Sequence, residues 1–170
     1  MSHVDKVLGL VSQAPCQDGV DFTGYDLKGI SLNGATFIFA TLKEVNFDEC
    51  ELVDVNFSKA NLGKATFRGA RLKNVIFSNA QLQESDFENS TLVNCNFENA
   101  NIEQSNFASF ISTKCTFKGA NLSFCNFYSA NIEESNLSFS RIMYSNLKQI
   151  AIDKSNLTGC NARGADFSFS

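Results

Sequence analysis

The residues best suited to chemistry are few and widely separated along the sequence. The 170-residue chain has one histidine, His3, and six cysteines. A Ser–His–Asp or Cys–His mechanism needs a histidine that can reach the nucleophile, and His3 lies in the N-terminal segment, far from most candidates. The cysteines form no CxxC pair and no Cys/His cluster of the kind that binds zinc. No glycine-rich phosphate loop occurs either. We therefore predict no catalytic, metal or cofactor site and no enzyme activity.

The structural elements that must carry these residues are defined by a repeat of five residues. From Phe22 to Phe167, every fifth residue is Leu, Ile or Phe at 28 of 30 positions, with Ser112 and Ala162 as the exceptions. The residue two before each centre is small or β-branched, and the residue just before it is often Asn. A period of five fits neither a helix nor a flat strand. It fits a short strand followed by a turn, in which the centre and the small residue both point inward.

At several places the unit resembles the A(D/N)LXX motif of the pentapeptide-repeat family. Residues 60–64 read Ala-Asn-Leu-Gly-Lys, residues 120–124 match the motif equally well, and residues 130–134 differ from it only by Ile in place of Leu. This resemblance implies an all-β fold, a right-handed quadrilateral β-helix with four units in each coil. We expect residues 1–19 to form a capping segment with a short helix, and residues 20–170 to form a solenoid of about 7.5 coils.

The centres alternate between Leu or Ile and Phe through most of the repeat, which predicts stacked columns. With four units per coil, two opposite faces each carry a column of phenylalanines: Phe47, Phe67, Phe87, Phe107 and Phe127 on one, and Phe57, Phe77, Phe97 and Phe117 on the other. Two units per coil would satisfy the alternation equally well. At one place the pattern is inverted, because Phe110 stands in the small column and Ser112 in the central one. We interpret this inversion as a compensated change of volume.

Five of the six cysteines fall in the small inward column of the repeat: Cys50, Cys95, Cys115, Cys125 and Cys160. A free thiol suits a slot that it shares with Ala, Ser and Val, because it behaves as a small buried hydrophobe. Cys95 and Cys115 would lie in adjacent coils, where a disulfide is the alternative. We expect inert free thiols.

The two ends of the repeat differ. Residues 2–13 predict a capping helix, with Ser2 as its N-cap, Asp5 three residues on, and an apolar stripe formed by Val4, Val7, Leu8 and Val11. Pro15 and Gly19 are expected to end this helix. No comparable capping helix is predicted at the last coil, so Phe167 and Phe169 should be exposed to solvent unless another chain covers them. This predicts a homodimer through the C-terminal coil or a tight partner there. The alternative is that residues 1–170 are a fragment and that the missing cap lies beyond Ser170.

The acidic residues offer one candidate surface. The net charge is −4, so we predict no direct binding of nucleic acid. One face of the solenoid carries the acidic patch Asp48, Glu49, Asp86 and Glu88, with Arg68 among them. The family resemblance implies an alternative function here, since some members protect DNA gyrase and topoisomerase IV from quinolones and have been viewed as mimics of duplex DNA. The negative charge on this face is much sparser than the charge along a DNA duplex.

Outward aromatic residues offer the other candidate surface. Five large side chains occupy outward positions in the last third of the repeat, and with Phe169 they predict an interface: Phe124, Tyr128, Phe139, Met143 and Tyr144. We interpret the chain as a non-enzymatic protein-interaction surface or scaffold with a protein partner that the sequence does not specify. It shows no membrane span and no secretion signal, so we predict a cytoplasmic protein.

Overall fold

The computed structural model describes residues 2–13 and 16–170. Pro15, expected to end the helix, lies outside the described residues. A single helix, α1 (His3–Gln13), precedes seven strands of three residues each. The strands are β1 (Ser31–Asn33), β2 (Glu51–Val53), β3 (Arg71–Lys73), β4 (Thr91–Val93), β5 (Ile111–Thr113), β6 (Asn131–Glu133) and β7 (Ala151–Asp153).

The strands form one parallel sheet in sequence order, and its register decides the number of units per coil. Each strand pairs with the next at an offset of 20 residues, as in Leu52 opposite Leu72. The other sides of the coil pair through isolated bridges at the same offset, such as Thr41 with Asn61. Four units of five residues therefore make one coil, and two units per coil are ruled out. The seven strands span six turns, fewer than the predicted 7.5 coils, because the outermost units form bridges and no strand.

The interior is filled by the two predicted phenylalanine columns. Within each column, rings of successive coils stack with centroids 4.6 to 5.3 Å apart. The columns also contact each other edge to face across the interior, as Phe77 does with Phe87 at 6.1 Å. These arrangements are favoured by the ring quadrupole. The inward assignment of the centres is confirmed by their burial from Leu27 to Phe107, where each is at most 4% exposed.

The asparagine that often precedes the centre has a hydrogen-bonding role in the turn. The Oδ1 atom of Asn126 accepts the backbone N–H of Tyr128 at 3.2 Å, which is an Asx turn. Its amide also joins neighbouring coils, since Asn146 Nδ2 donates to Asn126 Oδ1 at 2.9 Å and Asn126 Nδ2 donates to Asn106 Oδ1 at 3.1 Å. A side chain with both a donor and an acceptor can serve both the turn and the stack.

The last residue of each unit forms a corner of the coil in the left-handed backbone region. Non-glycine residues at these corners have φ between 49 and 64°, and they include Lys59, Glu84, Asn99 and Phe139. The left-handed conformation is costly for most residues with a Cβ. Here it recurs at every fifth residue from Gly19 to Phe169, because each corner of the four-sided coil must turn the chain by about a right angle within two residues.

The inversion at Phe110 and Ser112 is accommodated in the core. Both residues are fully buried. The Phe110 ring packs 5.0 Å from the Phe107 ring and 5.9 Å from the Phe127 ring, between two members of one column. The Ser112 hydroxyl has no hydrogen-bond partner among the described residues. An unpaired buried hydroxyl is destabilising, so the inversion leaves a polar defect at the centre of β5.

All six cysteines are free thiols, and no disulfide joins Cys95 to Cys115. Burial raises the pKa of Cys50 and of Cys125 to about 12, because an apolar interior disfavours the thiolate. These two thiols are therefore almost wholly protonated at neutral pH and poor nucleophiles. Cys160 is only half-buried, unlike the other cysteines of the inward column, because it lies in the last coil.

Helix α1 packs against the hydrophobic core of the solenoid. Ser2 and Asp5 form the predicted capping box, each accepting the other's backbone N–H at 3.0 Å. Val7 is fully buried against the core, and Val4, Leu10 and Val11 pack beside it. The predicted stripe was wrong at Leu8, which is exposed, because the contact face lies on the Leu10 side of the helix.

His3 helps to hold α1 against the first coil. Its Nδ1 atom accepts the backbone N–H of Asp26 at 2.9 Å, and its ring stacks on Tyr25 at 4.2 Å. The one histidine is exposed but has a structural role at the junction of α1 and the first coil.

Candidate interaction surface

Two of the predicted interface residues form an exposed stack at one corner of the solenoid. Phe124 and Tyr144 lie 20 residues apart, so they occupy the same corner in adjacent coils. Their ring centroids are 5.4 Å apart with an angle of 15° between the planes. Each ring remains about half exposed, 52% for Phe124 and 51% for Tyr144. The stack thus fixes the orientation of the rings and leaves their outer faces open.

The preceding corner carries Phe139, which is 62% exposed. The residue one coil further on is Gly159, and a Cβ built there would lie 2.6 Å from the Phe139 ring. Tyr144 has the same relation to Gly164, at 2.5 Å. Both rings therefore lie over glycine backbone in the next coil, in space that any other residue would occupy. Glycine at these two corners allows the rings to lie flat on the lateral surface.

The side of the coil between these corners contributes Met143, which is half-buried. Its sulfur accepts a hydrogen bond from Asn161 Nδ2 at 3.4 Å. We define the aromatic patch as Phe124, Phe139, Met143 and Tyr144, which the structure places on one side of the coil and its two corners. Two predicted residues lie elsewhere. Tyr128 is exposed on the next side of the coil, and Phe169 is 86% exposed at another corner of the last coil.

The acidic patch is interleaved with cations. The Arg68 guanidinium forms an ion pair with Asp86 Oδ2 at 2.6 Å, and the backbone N–H of Arg68 donates a hydrogen bond to Asp48 Oδ1 at 2.9 Å. Glu49 pairs with Lys28 at 3.0 Å. Only Glu88 lacks such a contact among the described residues. The four carboxylates therefore lie near one another but do not form an uninterrupted negative strip.

Family comparisons agree with this geometry. The profile described as pentapeptide repeats (8 copies) matches residues 18–52 and 113–149, and the profile described as a pentapeptide repeat region matches residues 40–110. Together they span most of the chain. The chain belongs to the pentapeptide-repeat family. No curated protein sequence is significantly similar to this pentapeptide-repeat protein.

Similar solved structures share little sequence identity with this chain. A trypsin-treated form of QnrB1, a plasmid-mediated fluoroquinolone resistance protein, superposes with a TM-score of 0.61 at 16% identity, over 89% of this chain and 83% of that chain. HetL from the cyanobacterium Nostoc, involved in the regulation of heterocyst differentiation, has a TM-score of 0.37 at 17% identity, over 98% of this chain and 94% of that chain. At these identities the likeness to QnrB1 shows the fold alone.

The described residues of this pentapeptide-repeat protein contain neither a candidate metal site nor a membrane-spanning helix. Within residues 2–13 and 16–170, no three His, Cys, Asp or Glu side chains are grouped so that they could hold a metal ion. The helix that the structure describes is too short to cross a membrane.

Phe39 was not identified from the sequence as an exposed aromatic residue. Phe39 is 63% exposed, its ring lies 5.0 Å from the Lys59 ammonium, and it shares its corner column with Phe139. Its outward position was the available signal.

Proposed function

We propose that this pentapeptide-repeat protein is a non-enzymatic interaction module that binds a protein partner through the aromatic patch. The exposed Phe124–Tyr144 stack carries the proposal. Aromatic residues and methionine are enriched in protein interfaces, and clustered exposed apolar side chains mark them. The stack also holds both rings in one orientation before binding, which reduces the entropy lost on association. We keep a cytoplasmic location as a prediction.

The state of the chain's reactive groups supports a binding role over catalysis. His3 is engaged in holding α1 on the first coil. The Cys50 and Cys125 thiols are buried, with pKa values of about 12. The core is filled by stacked rings and aliphatic side chains. What varies from unit to unit is the outward set of side chains, and this set is where a partner would be recognised.

We expect a double substitution of the stack, Phe124→Ala with Tyr144→Ala, to abolish capture of the partner from cells that make the protein. The wild type, this variant and a control would be used as affinity baits. The matched control is Phe39→Ala, which removes a somewhat more exposed ring from a distant coil. Because all three rings are on the surface, thermal unfolding should change little. Identical captured proteins for all three baits would contradict the proposal.

We propose further that a second copy covers the last coil. Phe169 is largely exposed there, and β7 pairs with β6 alone among the described strands. An unpaired strand edge beside apolar side chains favours association, and contact about a two-fold axis closes on itself. Light scattering at about 100 µM should give a dimer, twice the chain mass of 18.7 kDa. Phe169→Asp should give a folded monomer. A wild-type monomer at this concentration would reject the dimer.

Quinolone protection by binding gyrase or topoisomerase IV remains the alternative function. It rests on the fold that this chain shares with QnrB1 and on the acidic patch. The cations at Arg68 and Lys28 reduce the charge of that patch, and mimicry of DNA requires a regular line of negative charge. A supercoiling assay with gyrase and a quinolone would decide this alternative. Protection of gyrase by the chain would favour it over binding of a partner through the aromatic patch.

A further inference from the structure

The charged residues of the last two and a half coils show an uneven pattern of pairing. Residues 121–170 contain eight charged side chains. Six of them form ion pairs: Glu133 and Asp153 with Lys154, Glu134 with Lys114, and Lys148 with Asp166. The other two are Arg141 and Arg163, and neither forms an ion pair with any residue that the structure describes. Both are exposed.

These two arginines lie on the same side of the coil as the aromatic patch. Arg141 and Met143 occupy the two outward positions between the corners at Phe139 and Tyr144. Arg163 lies in the next coil, where its carbonyl accepts the Tyr144 backbone N–H at 3.0 Å. The residue opposite Arg141 in that coil is Asn161. Two guanidinium groups free of carboxylates are therefore set among exposed aromatic rings, on the lateral surface of the stack.

We propose that the aromatic patch, with Arg141 and Arg163, binds an acidic segment of a partner protein that also carries an apolar or aromatic side chain. This inference rests on the function proposed above and specifies the partner's chemistry. Guanidinium groups bind carboxylates through paired, charge-assisted hydrogen bonds. Aromatic residues, methionine and arginine are enriched in interfaces, and tyrosine and arginine are frequent among the residues that contribute most binding energy. The rings supply contact area, and the two arginines select for negative charge.

The charge of the rest of the chain favours a protein segment over a single-stranded nucleic acid. The net charge of the whole chain is −4. A nucleic-acid strand needs a cationic track along its backbone, and only two cations are available here. A short acidic segment needs no such track. Within the described residues 121–170, Arg141 and Arg163 are the two cations without an ion pair, and such a segment would contact them. Complementary charge of this kind contributes mainly to specificity and to the rate of association.

A displayed library of random peptides, selected on the intact protein, tests this inference. We expect the selected peptides to combine Asp or Glu with an aromatic or aliphatic residue. Fluorescence anisotropy of the tightest peptide should show binding at least about tenfold weaker to Arg141→Glu/Arg163→Glu. The same peptide with Gln in place of Glu should lose a comparable factor, and added salt should weaken binding.

A matched control reverses a charge away from the patch. Arg71 lies in β3, on another side of the coil, and forms no ion pair within the described part of the chain. Arg71→Glu should leave the affinity for the peptide within about twofold. Equal losses for Arg71→Glu and for the Arg141 and Arg163 variant would overturn the inference, since the effect would then come from overall charge.

The remaining outcomes separate this inference from the function on which it rests. Selected peptides without acidic residues whose binding still requires Phe124 and Tyr144 would overturn the acidic specificity and leave the proposed function standing. Binding of a single-stranded oligonucleotide that needs the same arginines would overturn a protein partner. A selection that yields no peptide would also count against the inference, and the capture experiment with Phe124→Ala/Tyr144→Ala would then decide the proposed function independently.

Discussion

Replacing Phe87 with alanine should lower the free energy of unfolding by about 3–5 kcal/mol. The Phe87 ring is fully buried. It stacks on Phe67 at 4.6 Å and on Phe107 at 4.9 Å, and it meets the edges of Phe77 and Phe97. Four rings would lose contacts at once, and the parallel ladder around them limits how far the cavity can collapse. Urea unfolding followed by circular dichroism measures the change.

The adjacent residue provides the control for this experiment. Glu88 follows Phe87 in the chain but points outward, and its backbone N–H, which donates to Asp86 at 3.0 Å, is kept in any substitution. Glu88→Ala should therefore change stability by no more than about 0.5 kcal/mol. Similar losses for Phe87→Ala and Glu88→Ala would contradict the assignment of inward and outward positions.

The inverted unit at Phe110 and Ser112 should show strong energetic coupling. Phe110→Ala alone should cost about 3–5 kcal/mol, because it leaves a cavity between the Phe107 and Phe127 rings. Ser112→Leu alone should cost about 1–3 kcal/mol, because it adds volume beside Phe110. The double substitution returns the unit to the regular pattern and also removes the unpaired Ser112 hydroxyl. We expect it to be more stable than Phe110→Ala by about 2 kcal/mol.

A double-mutant cycle from urea unfolding of the four proteins measures this coupling directly. Losses that simply add would mean that Phe110 and Ser112 do not share one space. The interpretation of the inversion as a compensated change of volume would then be wrong. A double variant less stable than either single variant would have the same meaning.

Much of the fold could be predicted because one repeated unit carries most of the information. The alternation of inward and outward side chains follows from the strand itself, so the buried columns of Phe47 and Phe57 could be assigned without coordinates. The alternation of Leu and Phe repeats every ten residues and is therefore compatible with two units per coil or four. Only the hydrogen-bonded register, Leu52 opposite Leu72, distinguishes them. That information lies in pairing between coils, which a local pattern does not contain.

The candidate surface could be predicted only in part. Large apolar residues at outward positions identified Phe124, Phe139 and Tyr144, because any such residue breaks the polar pattern of the turns. Their spacing of 20 residues indicates that Phe124 and Tyr144 share a corner column, but the stacking of the two rings is known only from the structure. The availability of Arg141 and Arg163 could not be predicted, since an ion pair depends on the reach and orientation of side chains in neighbouring coils.

The left-handed corners described above have a consequence for how such a protein can change over evolutionary time. The same backbone conformation holds Gly164, Tyr144, Phe124 and Lys64 in a single column. Apart from Gly164, these residues carry exposed side chains that leave the coil at its outermost point and take no part in the core. Mutations at corners can therefore change which partner the protein binds, while the hydrogen bonds between coils and the packed columns of the core stay the same. Corner residues determine binding specificity and inward residues determine folding, so binding specificity can change without loss of the fold.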